Sequence, residues 1–283
     1  MSEHPSGETP ADSAGVPWRG RTFRPQPYAD DDGAVPPAYA EALAGFRAGR
    51  APAETVVDAL RETRLLVPLL AELGEAGTGP DGRTVDKSAE LAIVTVSGPD
   101  GREVLPAFTG VETMRAWNAR ARPVPVPARH AALAAVDAGT ELLVLDPGTD
   151  EEFGLRRPAL WAIAKDEPWR SPWRSEEALE RIGACLRDEP LVEGVDIRPG
   201  GRPGRLEGSE LQIVLHVPEA AAHEEREALT AGLRERLAAD ARLVELVDSV
   251  AVTTTIIPPG GLRRPRTGLL GHWWRGRGRR RGG

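Results

Sequence analysis

The sequence predicts an α+β protein of mixed α/β type, with two small domains that each carry a mixed β-sheet covered by helices. Apolar residues recur at helical spacing in some segments, and they form short runs or alternate in others. A stretch with prolines and tryptophans separates two such series, and both chain ends have the glycine, proline and charge content typical of disorder. The predicted parts are a disordered N-terminal segment (1–35), a first domain (36–166), a linker (167–174), a second domain (175–258) and a disordered basic tail (259–283).

The charge of the chain is unevenly distributed. The 283 residues have a formal net charge of −7, but from Leu262 onward there are eight arginines and no acid. Residues 36–261 therefore carry about −12, so most of the surface repels polyanions and one end attracts them. The single cysteine, Cys185, excludes an intramolecular disulfide and a cysteine-cluster zinc site. No apolar stretch approaches the ~18–20 residues of a membrane span and no hydrophobic signal region is present, which predicts a cytoplasmic protein.

The first domain is predicted to begin near Pro36 with two helices and a strand. Apolar residues at helical spacing predict the helices, and the apolar run 64–70 predicts the strand, in which Pro68 indicates an edge or a strand end. The sequence GPDGR occurs twice, and its second copy predicts a β-turn between two strands of a hairpin. The remaining predicted elements are a helix (111–118), an extended piece (124–126), a helix (129–137), a strand (142–145) and a helix (157–165).

The second domain is predicted to fold as helix, strand, strand, helix and strand. Ser175 is a plausible N-cap for the first helix, because acidic residues follow it in the first turn. In the strand 210–217, the residues Leu211, Ile213, Leu215 and Val217 share one face. The other predicted elements are a helix near 179–186, strands at 195–198 and 249–257, and a helix near 220–240.

No catalytic constellation, metal site or cofactor site is predicted. The glycines near residues 74–82 and 200–204 do not lie between a strand and a helix N-terminus, as a phosphate-binding loop requires. The five histidines are scattered, and no pair falls on one helix face. Cys185 is expected to be a partly buried structural residue. The chain is therefore expected not to be an enzyme, with an enzyme of unrecognised type as an open alternative.

Two loops, 106–110 and 145–149, are predicted to form a rim that contacts a ligand or a partner. Each follows a predicted strand, and ligands of open α/β sheets favour crevices outside strand ends. Thr109 is also placed to cap the helix that follows it. The alternative is that capping and turn geometry fully explain both loops. The predicted rim residues are Phe108, Thr109, Asp146, Pro147 and Gly148.

These same segments resemble the SseB family, named for enhanced serine sensitivity in bacteria. The similar blocks are 60–68, 100–117 with its P-x-F-T sequence, and 141–163 with a turn similar to the family's L-x-L-N-P-G; residues 175–257 resemble the family's C-terminal domain. The chain departs from the family at Gly110, where serine is common, and at Asp146, where asparagine is usual. The resemblance implies a two-domain, non-enzymatic binding or regulatory module with an unknown protein or small-molecule partner, and it provides no catalytic residue.

The C-terminal tail gives an alternative function. Arginines between glycines, beside two tryptophans, combine attraction to phosphates with stacking surfaces, which favours weak contact with RNA or with anionic lipid. The simpler interpretation is a disordered, solvated end without a partner, which the pattern favours over either contact. The tail contact candidates are Trp273, Trp274, Arg275, Arg277, Arg279, Arg280 and Arg281. In the linker, Trp169 and Trp173 repeat the sequence PWR and are expected to hold the two domains together. The oligomeric state is not predicted.

Overall fold

The computed structural model describes residues 28, 30–71, 77–78, 84–85 and 91–258. Within them the α+β fold class is confirmed, and the described residues from Gly33 onward form one compact unit. Before Gly33, the Asp31 N–H donates a hydrogen bond to the Tyr28 carbonyl at 3.2 Å. The first GPDGR sequence, the tail and most of the predicted disordered N-terminal segment lie outside the described residues. No helix within the described ranges is long and apolar enough to cross a bilayer.

The first half of the described chain alternates helices with short strands. Its elements are α1 (Pro37–Arg47), α2 (Ala53–Arg61), β1 (Arg64–Ala71), β2 (Gly77–Thr78), β3 (Thr84–Val85), β4 (Leu91–Ile93), β5 (Val96–Ser97), β6 (Glu103–Ala107), α3 (Val111–Trp117), β7 (Arg122–Pro127), α4 (Ala128–Asp137), β8 (Leu143–Leu145), β9 (Phe153–Leu155) and α5 (Arg157–Lys165).

These strands form two main sheets that meet at one bridge. One has the order β4-β1-β7 and is antiparallel, and the other has the order β5-β6-β8-β9 with β6 parallel to β8. The predicted hairpin is confirmed, because β5 pairs antiparallel with β6 across the second GPDGR turn. Leu66 and Phe108 exchange two backbone hydrogen bonds, of 2.8 and 2.9 Å, that join the sheets. A core of apolar residues from α1, α2, α4 and α5 packs against the strands.

Pro68 lies in the central strand of its sheet, so its interpretation as an edge or strand end is wrong. In β1, the backbone groups of Leu66 point away from β7, toward Phe108, and those of Pro68 and Leu70 alternate onto the same side. Pro68 falls in the gap between the bridge at Leu66 and the pairing of residues 69–71 with β4. Its missing N–H therefore removes no sheet hydrogen bond.

The second half has a smaller, three-stranded sheet. Its elements are a 3-10 turn (Pro172–Arg174), α6 (Glu176–Cys185), β10 (Gly194–Pro199), β11 (Leu211–Pro218), α7 (His223–Ala239), α8 (Ala241–Leu246) and β12 (Val250–Ile257). The central strand, β11, pairs antiparallel with β10 and parallel with β12. The predicted N-cap is confirmed, because the Ser175 side chain accepts the Ala178 N–H at 3.3 Å.

The apolar face of β11 forms the centre of a second core. Leu211, Ile213, Leu215 and Val217 are fully buried, as their shared face predicts. They pack against α6 and against Leu229, Leu233 and Leu237, which recur every four residues along α7. The fold therefore places one core in each half and brings loops of both halves together near the linker.

Candidate functional site

The two loops of the predicted rim meet because they follow parallel strands. β6 ends at Ala107 and β8 at Leu145, at the same edge of the sheet. The Asp146 N–H donates to the Ala107 carbonyl at 2.9 Å and extends the parallel ladder by one residue. The loop 106–110 therefore lies directly beside the loop 145–149.

Asp146 binds these loops together through its carboxylate. Its Oδ1 accepts the Thr109 N–H at 3.0 Å and the Thr113 hydroxyl at 2.7 Å, and its Oδ2 accepts the Thr109 hydroxyl at 2.6 Å. Asp146 also has φ +46°, in the left-handed region that aspartate and asparagine tolerate better than most residues. The prediction that Thr109 caps α3 is wrong: the N-cap is Gly110, and the Thr109 hydroxyl binds Asp146 instead.

The predicted rim is mostly interior. Phe108, Thr109 and Asp146 are at most 1% exposed, and Phe108 packs its ring against Trp117 at 5.3 Å between centroids. Pro147 is half-buried and Gly148 is exposed. The chemical capacity of Asp146 and Thr109 is already used in binding one loop to the other.

An open cleft lies elsewhere, where the start of α5, the linker and the loop 199–210 come together. Its enclosed volume is about 40 Å³, and the figure rises to about 460 Å³ when the open solvent at its mouth is counted. Trp169, in the wall of the cleft, is partly buried and packs against the first core. Trp173 is also partly buried and packs against the second core. The lining residues are Ala53, Val57, Phe153, Gly154, Leu155, Arg156, Ala159, Trp169, Trp173, Pro199, Gly201, Arg202, Pro203, Gly204, Arg205, Ser209 and Glu210.

Two glycines let the loop 199–210 pass close to β9. The Gly154 N–H donates to the Gly204 carbonyl at 2.8 Å. Gly204 has φ +74°, and a Cβ added there would lie 2.8 Å from the Phe153 ring. Glycine is therefore needed at residue 204, because the backbone approaches the Phe153 ring closely there. This contact forms part of one wall of the cleft.

Glu210 is the buried acid of the cleft, with 6% of its surface exposed. Burial raises the pKa of Glu210 to about 7, and the charge of Asp248 adds to this, against the opposing effects of the Asp248 N–H and of two arginines. Glu210 Oε2 accepts the Asp248 N–H at 2.7 Å. Its Oε1 accepts no hydrogen bond from any described residue. Near neutral pH, Glu210 therefore exchanges between a hydrogen-bond donor and an anion.

The three arginines of the cleft differ in their partners. Arg156 pairs with Asp248 at 3.1 Å and also donates to the Gly208 carbonyl at 2.8 Å. Arg205 pairs with Glu152 at 2.6 Å. Arg202 is exposed and forms no ion pair with a described residue, so it is the cation at the cleft that remains available to a ligand.

Residues 40–162 match the family model described as the SseB protein N-terminal domain. The chain carries an SseB N-terminal domain. Comparisons with curated proteins and with solved structures give no significant match. The similarity of residues 175–257 to the SseB C-terminal domain stays a prediction, because the matched range ends before them.

The cleft joins the SseB domain to the part of the chain that follows it. Phe153, Arg156 and Ala159 lie within the matched range, whereas the lining residues from Trp169 onward lie beyond it. The ion pair between Arg156 and Asp248 crosses the same boundary, as does that between Arg102 and Asp248 at 3.1 Å. The SseB domain therefore supplies one wall of the cleft, and the later segment supplies the other.

Sequence patterns pointed to the loops of the SseB domain but not to its cleft. The sequence predicts Glu210 as the first residue of a strand. The apolar residues that follow it in that strand are the one indication that it is buried. Arg156 pairs with a residue 92 positions later, beyond any local pattern.

Cys185, which the sequence also singled out, lies outside the cleft lining and is half-buried. Its burial, together with the charge of Asp240 and against that of Arg236, raises the pKa of its thiol. Among the described residues, no cluster of three or more His, Cys, Asp or Glu side chains could hold a metal ion. The tail contact candidates lie outside the described residues.

Proposed function

We propose that this SseB family member is a non-enzymatic binding module whose cleft takes a small anionic ligand with an apolar or aromatic body. The observation that carries the proposal is that a buried acid, Glu210, and an available cation, Arg202, line one cleft with two tryptophans. Convergent polar groups in a concave apolar site are typical of ligand pockets.

The charges of the cleft favour an anion. Arg156 and Arg205 are neutralised by their own carboxylate partners, whereas Arg202 forms no ion pair with any residue that the structure describes. Glu210, with its pKa raised to about 7, can donate a hydrogen bond to the ligand in its protonated form. The half-buried rings of Trp169 and Trp173 offer aromatic surface to an apolar body.

Binding without turnover fits this set of groups. Glu210 is the one side chain of the described cleft lining whose pKa is raised to about neutrality. General acid–base catalysis of most reactions combines such a group with a positioned nucleophile or a second acid or base. The Arg156 guanidinium is held by Asp248 and by backbone carbonyls, which suits a rigid wall.

The test uses 8-anilinonaphthalene-1-sulfonate, an aromatic anion whose fluorescence rises in apolar sites. We expect saturable binding to the full-length protein and a loss of affinity of about tenfold in Arg202→Ala, because one charge-assisted contact is removed. Arg120→Ala, which removes an exposed arginine outside the cleft lining, is the matched control and should leave the affinity unchanged. Equal losses in the two variants would show a general charge effect and contradict the proposal.

A second proposed function rests on the tail. Eight arginines from Leu262 onward, with Trp273 and Trp274 among them, favour association with RNA. Retention of the full-length protein on single-stranded RNA should weaken steeply as salt rises, and a chain ending at Pro258 should not be retained. Retention that is insensitive to salt would exclude counterion release and this function. Binding to anionic vesicles but not to RNA would assign the tail to lipid instead.

A further inference from the structure

The edges of the sheets are protected in different ways. Exposed edge strands invite pairing with another chain, and proteins usually block them with proline, charge or short length. β7 carries Pro123, Pro125 and Pro127, which alternate with the residues that bond β1, so their nitrogens face outward. β10 ends in Pro199 and carries exposed Asp196 and Arg198. β9 is three residues long, and its outer side is covered by the bond from Gly154 to Gly204.

β12 itself has neither proline, charge nor short length, and one arginine of α7, Arg234, reaches its outer side. The strand is eight residues long, and its sequence VAVTTTII contains no proline and no charge. Thr253 and Thr255 are exposed, and Ile256 is 47% exposed. β12 lies at the edge of its sheet, and no described strand pairs with its outer side.

The outer side of β12 presents regularly spaced backbone groups. The Leu211 N–H donates to the Ser249 carbonyl at 3.0 Å, so in this parallel ladder the odd-numbered residues of β12 direct their backbone groups toward β11. Residues 250, 252, 254 and 256 therefore direct their N–H and C=O groups outward. One of these carbonyls, that of Val252, accepts the Arg234 guanidinium at 2.9 Å.

We propose that β12 is an interface for a second copy of this chain, with the two β12 strands antiparallel across a two-fold axis. Two sheets of three strands would join into one sheet of six, and the outward residues of each strand would supply the hydrogen bonds. In the register centred on Thr253, Val252 lies opposite Thr254 of the second copy. The pairing then covers residues 250–256 and stops before Pro258.

Self-pairing suits the side chains of this strand. On a two-fold axis the central residue meets its own copy, so a charge there would repel itself, whereas Thr253 can pair with Thr253. Like charges are absent from all eight positions, in contrast to β10.

The charges flanking the strand are complementary between copies. Residues 175–258 contain seventeen acids and nine arginines, a net charge of −8, whereas the sequence from Leu262 onward carries +8. In the antiparallel arrangement, the end of each β12 lies beside the start of the other copy's β12, close to Asp248 and α8. The half that carries β12 is acidic and the sequence that follows it is basic, so two copies of the chain have charges that attract each other.

The experiment is sedimentation velocity of the full-length protein over micromolar to near-millimolar concentrations, combined with hydrogen exchange of the β12 amides. We expect a monomer–dimer equilibrium, with the amides of residues 250, 252, 254 and 256 more protected as the concentration rises. Thr253→Lys places like charges on the axis and should weaken the dimer about tenfold or more. Ala138→Lys, which adds the same charge at the exposed end of α4, is the matched control and should leave dimerisation unchanged.

Two results would overturn the proposal. A protein that stays monomeric throughout, with unprotected outward amides, shows that the edge is not a self-association surface. A dimer that Thr253→Lys leaves intact shows that the copies meet elsewhere. If the outward amides are protected in the monomer and lose that protection when residues 259–283 are removed, the tail covers the edge and the second copy does not.

Discussion

Arg156 and Asp248 form an ion pair of 3.1 Å in which the two side chains are only 8% and 3% exposed. Arg102 donates two further hydrogen bonds of 3.1 Å to the same carboxylate. Burial alone would raise the pKa of Asp248, but the hydrogen bonds and charges of Arg102, Ser249 and Arg156 outweigh it and lower that pKa. One carboxylate therefore serves two arginines from the SseB domain.

Replacing Asp248 by alanine should destabilise the protein by about 3–5 kcal/mol, because a nearly buried arginine loses its counter-charge. The free energy of unfolding in urea measures the change. Glu112→Ala removes the exposed partner of Arg115 and should change stability by less than about 1 kcal/mol. Equal losses in the two variants would mean that Asp248 acts as an ordinary surface residue.

The raised pKa of Glu210 predicts how stability depends on pH. The folded state binds a proton more tightly than the unfolded state, so between about pH 4.5 and pH 7 the contribution of this group to stability falls as the pH rises. Glu210→Gln keeps an acceptor for the Asp248 N–H and removes the ionisation. The variant should gain up to about 3 kcal/mol over the natural protein at about pH 8, and no gain from ionisation should remain below about pH 4.5.

Urea unfolding across this pH range tests the prediction. Glu112→Gln, on the exposed surface, serves as the control and should follow the natural protein at every pH. A stability difference for Glu210→Gln that does not change with pH would show that Glu210 is not destabilised by its ionisation.

Substitutions of Asp146 should separate its backbone role from its hydrogen bonds. Asp146→Asn retains a residue suited to φ +46° and can keep contacts to both threonines, so we expect a loss below about 1 kcal/mol. Asp146→Ala leaves the Thr109 N–H and hydroxyl without their acceptor in a buried site and should cost about 2–4 kcal/mol. Thermal unfolding of both variants is the measurement, and equal losses would contradict the account.

Trp169 and Trp173 are predicted to hold the two halves together. Since one packs partly against the first core and the other against the second, replacing both by alanine should separate one calorimetric transition into two. Trp161→Ala is the control, because Trp161 lies on α5 outside the cleft lining and should lower the transition without splitting it. A single transition in the double variant would exclude this role.

Local patterns in the sequence predicted most helices and strands, because each pattern depends on neighbours within a few residues. The bounds of α5 and the buried face of β11 followed from spacing alone. β9 escaped prediction because a three-residue strand containing Gly154 has no alternation to detect, and its pairing with β8 is what makes it a strand. The prediction for Pro68 was wrong because a central strand tolerates a proline where the neighbouring strand forms no hydrogen bond with that residue. Pro68 lies between the bridge at Leu66 and the pairing with β4.

The candidate site was harder to predict than the fold. The loops after β6 and β8 were correctly expected to follow strand ends, but sequence could not show that Thr109 and Asp146 would satisfy one another. The cleft is made by segments from residue 53 to residue 210, so its groups share no local pattern. Only the long-range arrangement of the chain brings Arg202 and Glu210, which share the loop 199–210, beside Phe153 and Trp169.

The missing side chain at residue 204 has a consequence for variation within the family. Gly204 lies so close to the Phe153 ring that a methyl group there would force the loop 199–210 outward. A relative with alanine at this position would therefore have a wider cleft mouth without any change in the other lining residues. The width of the cleft mouth can thus change through a single backbone position, independently of the charges in the lining.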